Sequence, residues 1–247
     1  MKKLVVKDLH ASVGNSSILN GINLELKPGE IHVLMGQNGS GKSTFANVLM
    51  GSPKYKVNQG SIMLDGRDIT NAPVDERARL GLFLSFQYPS EVSGVTLSSF
   101  LRTAYNSVNK KKLDVMQFHA LLAKKMQELH INPELGRRYL NEGFSGGEKK
   151  RSEILQMAVL QPKYCILDEI DSGLDVTAIK AIGEGIKNMQ SKARAILIIT
   201  HYCRILHHLT PDKVSIMHAG RIVRTGSSKL AFEIEKHGFT EVLKHAN

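Results

Sequence analysis

The 247-residue chain has only two cysteines, and neither stands at a spacing that makes a metal site or a disulfide framework. Cys165 lies in the apolar run Tyr164-Cys165-Ile166-Leu167 and reads as a small core residue. Cys203 stands near His201, His207 and His208, but in no usual zinc-ligand pattern. Long apolar runs are missing too. The strongest, Ala195-Ile196-Leu197-Ile198-Ile199, is strand-sized and far below the roughly 20 residues a membrane helix needs. Met1-Lys2-Lys3 leads into Leu4-Val5-Val6-Lys7-Asp8, too short and too soon charged for a signal peptide, so a cytoplasmic protein is expected. The formal charge of +10 invites a nucleic-acid reading. No recognisable DNA- or RNA-reading module accompanies it, and the basic residues are scattered except at Lys110-Lys111-Lys112 and Lys149-Lys150-Arg151. An acidic protein partner is an equally good use of that charge.

Present instead is Gly36-Gln37-Asn38-Gly39-Ser40-Gly41-Lys42-Ser43, between the apolar run Ile31-His32-Val33-Leu34-Met35 and a helix-like stretch opening at Thr44. Strand, glycine-rich loop and helix in that order are the context of a P-loop. Glycines at 36, 39 and 41 let the backbone curl and aim N–H groups at phosphate oxygens. The new helix adds the positive end of its dipole. Lys42 is expected to reach the β- and γ-phosphates, and the Ser43 hydroxyl to ligate the Mg²⁺ of ATP.

Residues 3–35 alternate apolar and polar, as antiparallel strands do, and Lys27-Pro28-Gly29-Glu30 reads as a turn before the buried strand. Residues 60–67 and 82–86 continue as strands. From 88 the spacing becomes helical, as at Phe118, Leu121, Leu122, Lys125, Met126 and Leu129. Strands return at 164–168 and 195–200, followed by a hairpin over 214–225. The expected fold is α/β: a nucleotide-binding core over 1–87 and 161–247, with a helical subdomain inserted at 88–160.

A second phosphate-chemistry element is Tyr164-Cys165-Ile166-Leu167-Asp168-Glu169, a strand delivering two adjacent carboxylates. Asp168 is placed to hold Mg²⁺, and Glu169 to orient and polarise the attacking water. A third is Phe144-Ser145-Gly146-Gly147-Glu148, a second glycine-rich helix start able to cap phosphate oxygens. One nucleotide does not need two such caps from one chain.

These elements resemble the ATP-binding-cassette (ABC) family across nearly the whole chain. The resemblance implies a P-loop NTPase fold with a mixed sheet, an antiparallel β part and the inserted helical subdomain. It implies ATP and Mg²⁺ as ligands and ATP hydrolysis as the activity. By its pattern Ser145, Gly146 and Gly147 cover ATP bound to a second copy. Gln87 ends a strand as the Q-loop residue, a Mg²⁺ and water ligand. Ser172-Gly173-Leu174-Asp175 matches the D-loop, and His201 the switch histidine at the γ-phosphate.

Two departures stand out. Val13 takes the place where many cassettes stack an aromatic ring on adenine. Glu148 replaces the more frequent Gln of the signature, a negative charge near a phosphate unless Lys149, Lys150 or Arg151 offsets it.

Outlying blocks narrow the resemblance to the ATPases of SUF iron–sulphur cluster assembly systems. They are Phe86-Gln87-Tyr88-Pro89 with Gly94-Val95, residues 141–151 and 153–157, Ile170-Asp171 within the 167–175 block, and Thr200-His201-Tyr202 with Arg204-Ile205-Leu206. That resemblance implies SufB and SufD scaffold partners, ATP-driven pairing of two copies, and iron and sulphide carried by the partner. The stretch 88–95, directly after Gln87, is the expected scaffold contact. The rival is the ATP-binding subunit of a membrane transporter.

Overall fold

The apolar runs that read as buried strands lie side by side in one sheet of a computed structural model, which describes residues 2–87 and 89–244. In chain order the first elements are β1 (Leu4–Val13), β2 (Ser16–Leu26), β3 (Ile31–Met35) and α1 (Lys42–Met50). Next come β4 (Lys56–Leu64), β5 (Arg67–Asp68), α2 (Val74–Arg79) and β6 (Leu82–Ser85). The inserted span holds β7 (Val92–Thr96), α3 (Leu97–Val108), α4 (Val115–Glu128), β8 (Tyr139–Leu140) and α5 (Gly146–Leu160). It is followed by β9 (Tyr164–Asp168), α6 (Val176–Met189) and β10 (Ala195–Thr200), then β11 (Lys213–His218), β12 (Arg221–Gly226) and α7 (Lys229–Lys244).

The main sheet runs β12-β11-β3-β10-β9-β6, parallel except for the β11–β12 hairpin. Every residue of β3, β9 and β10 is buried, which is why they read as continuous apolar runs and not as alternating ones. Successive residues face opposite layers. Val33, Leu167 and Ile198 join the core under α6, while Leu34, Ile166 and Ile199 join the core shared with α1 and the second sheet. That second sheet is antiparallel, in the order β2-β1-β4-β5.

Register aligns the carboxyl ends of the parallel strands. Thr200 pairs with Met35, Ile199 with Asp168, and Leu167 with Ser85. The segments leaving these strands therefore emerge along one edge, where open α/β sheets bind ligands.

The inserted span has its own core of Leu97, Leu101, Phe118, Leu122, Met126, Leu155 and Val159. Its start is not helical. β7 pairs antiparallel with β8 through Val92–Leu140 and Thr96–Tyr139 contacts. β7 carries Gly94 at φ +79° and is mostly exposed, so no helical stripe forms before Leu97.

Candidate functional site

The chain leaves β3 and enters the loop 36–41, whose three glycines serve two different ends. A Cβ at Gly36 would stand 2.4 Å from the Met217 carbonyl oxygen, so close backbone approach demands glycine there. Gly39 and Gly41 adopt φ of +80° and +105°, conformations that side chains disfavour. The curl puts Lys42 at the first turn of α1, with Nζ donating to the carbonyls of Gly36 at 2.8 Å and Gln37 at 3.0 Å. Burial lowers the Lys42 pKa, against the pull of Glu169 and Asp168.

Across the sheet edge Ser43 Oγ donates to Asp168 Oδ1 at 3.2 Å. Burial pushes Asp168 up to about 6, with the Ser43 hydrogen bond acting in the opposite direction. Glu169 follows with φ of +48°, and its N–H donates to the Ile199 carbonyl of the neighbouring strand. Gln87 Nε2 donates to Glu169 Oε2 at 2.5 Å, and His201 Nδ1 lies 3.3 Å from Oε1, off the line of a hydrogen bond. Both carboxylate oxygens of Glu169 thus face a neighbour delivered by another strand end.

Lys42, Ser43, Gln87 and Glu169 line one groove of about 370 Å³ with Asn38, Gly39, Gly41 and Thr44, and with Ile18 as its apolar wall; His201 is not part of that lining. Ile18, from β2, is a site residue that the sequence did not single out. Ser40 is buried behind the loop and Asp168 beside it. Ser43, Asp168 and Gln87 offer a hydroxyl, a carboxylate and an amide oxygen, the donor set that a hard divalent cation takes.

Ser145, Gly146, Gly147 and Asp175 do not line that groove. Ser145 caps α5: its Oγ accepts from the Glu148 N–H at 3.2 Å, and Glu148 Oε2 accepts from the Ser145 N–H at 2.8 Å. A Cβ at Gly146 or Gly147 would meet nothing within 4 Å, so this helix start faces open space. Asp175 caps α6 by accepting from the Ala178 N–H at 2.7 Å.

The expectation that Lys149, Lys150 or Arg151 offsets Glu148 is corrected. Arg138 does so: Nη1 donates to Glu148 Oε1 and Nη2 to the Gly143 carbonyl, both at 2.8 Å, and the guanidinium stacks 4.6 Å from the Phe144 ring centre. The Ser145 N–H, then Arg138, hold the Glu148 carboxyl below its usual range. Lys149 pairs with Glu91, while Lys150 donates to the Phe86 carbonyl and to Glu153. Lys150 thus ties the signature helix to the segment that carries Gln87. Of the expected scaffold stretch, Tyr88 lies outside the described residues, and Val92 and Val95 are exposed. Cys203 Sγ donates to the Ala231 carbonyl, and burial raises its thiol to about 11. Among the described residues no group of side chains could hold a metal through His, Cys, Asp and Glu alone.

A family model described as ABC transporter matches residues 19–172. The chain is 51% identical over 238 residues to vegetative protein 296 of Bacillus subtilis (strain 168), covering 96% of this chain and 91% of that one. It is 48% identical over 240 residues to a probable ATP-dependent transporter of Synechocystis sp., covering 96% and 94%. Among solved structures, the ATP binding subunit of an ABC transporter matches with a TM-score of 0.80 at 25% identity over 99% of both chains. A dimeric, post-hydrolysis ATP-binding cassette bound to ADP and Pi matches in fold, with a TM-score of 0.79 at 17% identity over 91% of this chain and 98% of that one.

Proposed function

The chain belongs to the ABC transporter family as an ATP-binding cassette, and from that premise we propose that it is a SufC-type ATPase. In this reading it serves SUF iron–sulphur cluster assembly, bound in the cytoplasm to SufB and SufD scaffold proteins. The observation that carries the ATPase mechanism is the separation of the two phosphate-capping helix starts. Lys42 and Ser43 line one groove, while Ser145 to Gly147 face open space elsewhere on the same chain. A nucleotide held by both needs two copies, so its binding energy favours pairing and can move whatever each copy carries.

We assign residues 1–87 and 161–247 to the nucleotide-binding core and 88–160 to the helical subdomain. The backbone N–H groups of residues 36–44 and the Lys42 ammonium bind the phosphates. Lys42 leaves its two carbonyl contacts to reach the β- and γ-oxygens. Ser43, Asp168 and Gln87 would hold Mg²⁺, which neutralises phosphate charge when bound. Glu169 orients the attacking water and draws on its proton, and His201 supports the γ-phosphate from the other side of that carboxylate. Ser145, Gly146, Gly147 and Asp175 act on the nucleotide of the second copy.

The SUF assignment rests on the blocks around residues 86–95, 141–157, 167–175 and 200–206. The chain's two buried cysteines agree with iron and sulphide being carried by the partner. The names of the relatives favour a second reading, the ATP-binding subunit of a membrane transporter. Affinity purification of the tagged chain from its own cells separates them. Soluble scaffold in the eluate is expected; a membrane permease in its place rules the SUF reading out.

A further inference from the structure

On the side of the molecule defined by α2 and the C-terminal half of α3 lies an open groove of about 620 Å³, lined by Arg79, Arg102, Asn106, Asn109, Lys110 and Lys112 among other polar residues. Among the described residues no carboxylate lines it. Arg79 shares its charge with Asp75 at 2.6 Å, and among the described residues Arg102, Lys110 and Lys112 have no ion-pair partner.

The uncharged lining is already committed internally. Asn106 clasps Leu113 from both ends, its Nδ2 donating to the Leu113 carbonyl and its Oδ1 accepting from the Leu113 N–H. Thr103 and Ser107 donate their hydroxyls to the carbonyls of Ser99 and Thr103, and Asn109 donates to that of Tyr105. The loop bearing Lys110 and Lys112 is therefore latched to α3, and what the groove offers a visitor is positive charge.

α2 is also tied to the P-loop helix. The neighbouring Arg77 is buried and donates to the carbonyls of Val48 and Leu49 at the end of α1, and to those of Ala72 and Thr70. The groove thus bridges an element braced on α1 and the first helix of the inserted span.

We propose that this groove docks an acidic segment of a partner protein, whose carboxylates pair with Arg102, Lys110, Lys112 and Arg79. A polypeptide fits better than a single-stranded nucleic acid, because among the described residues no aromatic side chain lines the groove to stack a base. The proposal requires only a partner with an acidic segment, whether scaffold or permease, so it stands apart from the SUF assignment.

The test uses the full chain and a fluorescent oligoglutamate peptide, read by anisotropy at low and raised salt. Arg102→Glu with Lys112→Glu is expected to weaken peptide binding by at least about tenfold. Lys229→Glu with Lys236→Glu on α7 makes the same change in net charge and is expected to leave binding within about twofold. Equal losses in both variants, or no salt-sensitive binding by the unmodified chain, overturn the proposal. So does tighter binding of duplex DNA or of phosphatidylglycerol vesicles that is lost in the same variant. Should the double Glu variant fail to fold by circular dichroism, Arg102→Gln with Lys112→Gln decides, with a loss of about threefold expected and no loss refuting it. The peptide assay and the affinity capture read different things, so failure of one is distinguishable from failure of the other.

Discussion

Glu169 and Glu148 are both carboxylates of the proposed phosphate-binding elements, and their surroundings suit them to opposite work. Glu169 has φ of +48° and faces Gln87 and His201, which leaves its carboxylate aimed along the groove beside Lys42. Glu169→Gln keeps the shape and removes the proposed base. Nucleotide binding should persist while hydrolysis falls by about a hundredfold or more, measured as single-turnover phosphate release; unchanged turnover refutes the assignment. Glu148 is spent on structure: it closes a capping box with Ser145 and receives Arg138. Arg138→Ala should cost stability only about 1 kcal/mol or less, because the pair is half exposed. Steady-state ATP hydrolysis should fall about tenfold as the signature loop loses its two-pronged anchor. Arg138→Lys should not restore it fully, since one ammonium cannot reach Glu148 and Gly143 together as the fork does. Lys42, Ser43 and Glu169 were legible because each sits at a fixed offset from a motif. Arg138 was not, because a lone arginine ten positions before its partner carries no local pattern.

The strands were the most readable elements, for the reason that β3, β9 and β10 are buried on both faces. Their sequence also hides one polar cluster. His32, within β3, accepts or donates at 2.8 Å to Ser215 Oγ on β11, with Glu30 and Lys213 alongside. Burial, then the Lys213 charge, lowers its pKa to about 4, against the Glu25 backbone carbonyl, which favours the protonated ring and raises it. The unfolded chain therefore takes up a proton on this imidazole more readily than the folded one. Its contribution to stability is fully present above about pH 6.5 and is lost as pH falls toward 4, by roughly 3 kcal/mol in all. Urea unfolding at pH 7 and pH 4.5 measures this. His32→Gln should shrink the difference between the two pH values, whatever it does to the level at pH 7; an unchanged difference refutes it. Less was readable where elements are short or exposed. β7 and β8 hold five and two residues, too few to set a period, and pair only because the chain folds back over α3 and α4. α7 has no counterpart in the sequence reading, and Gly238, at φ +74°, interrupts its pattern.

At the scale of the whole molecule, the two glycine-rich helix starts face different surroundings, and register in the main sheet explains why. Strand ends β3, β6, β9 and β10 converge on one groove, whereas α5 starts from the inserted span with its own core. The sequence contained the clue, since a second glycine-rich helix start is superfluous within one chain. Where it points depends on packing between distant segments, such as the Lys150 bond to the Phe86 carbonyl and the Asn141 bond to that of Ser90. A site shared between two copies is tested most directly by mixing two inactive variants. Lys42→Ala disables the P-loop and leaves the signature loop intact, while Ser145→Arg blocks the signature loop and leaves the P-loop intact. In an equimolar mixture about half of the pairs are mixed, each with one complete site of two, so about a quarter of the unmodified rate of ATP hydrolysis should return. A mixture no faster than the variants alone would show that each chain completes its own site.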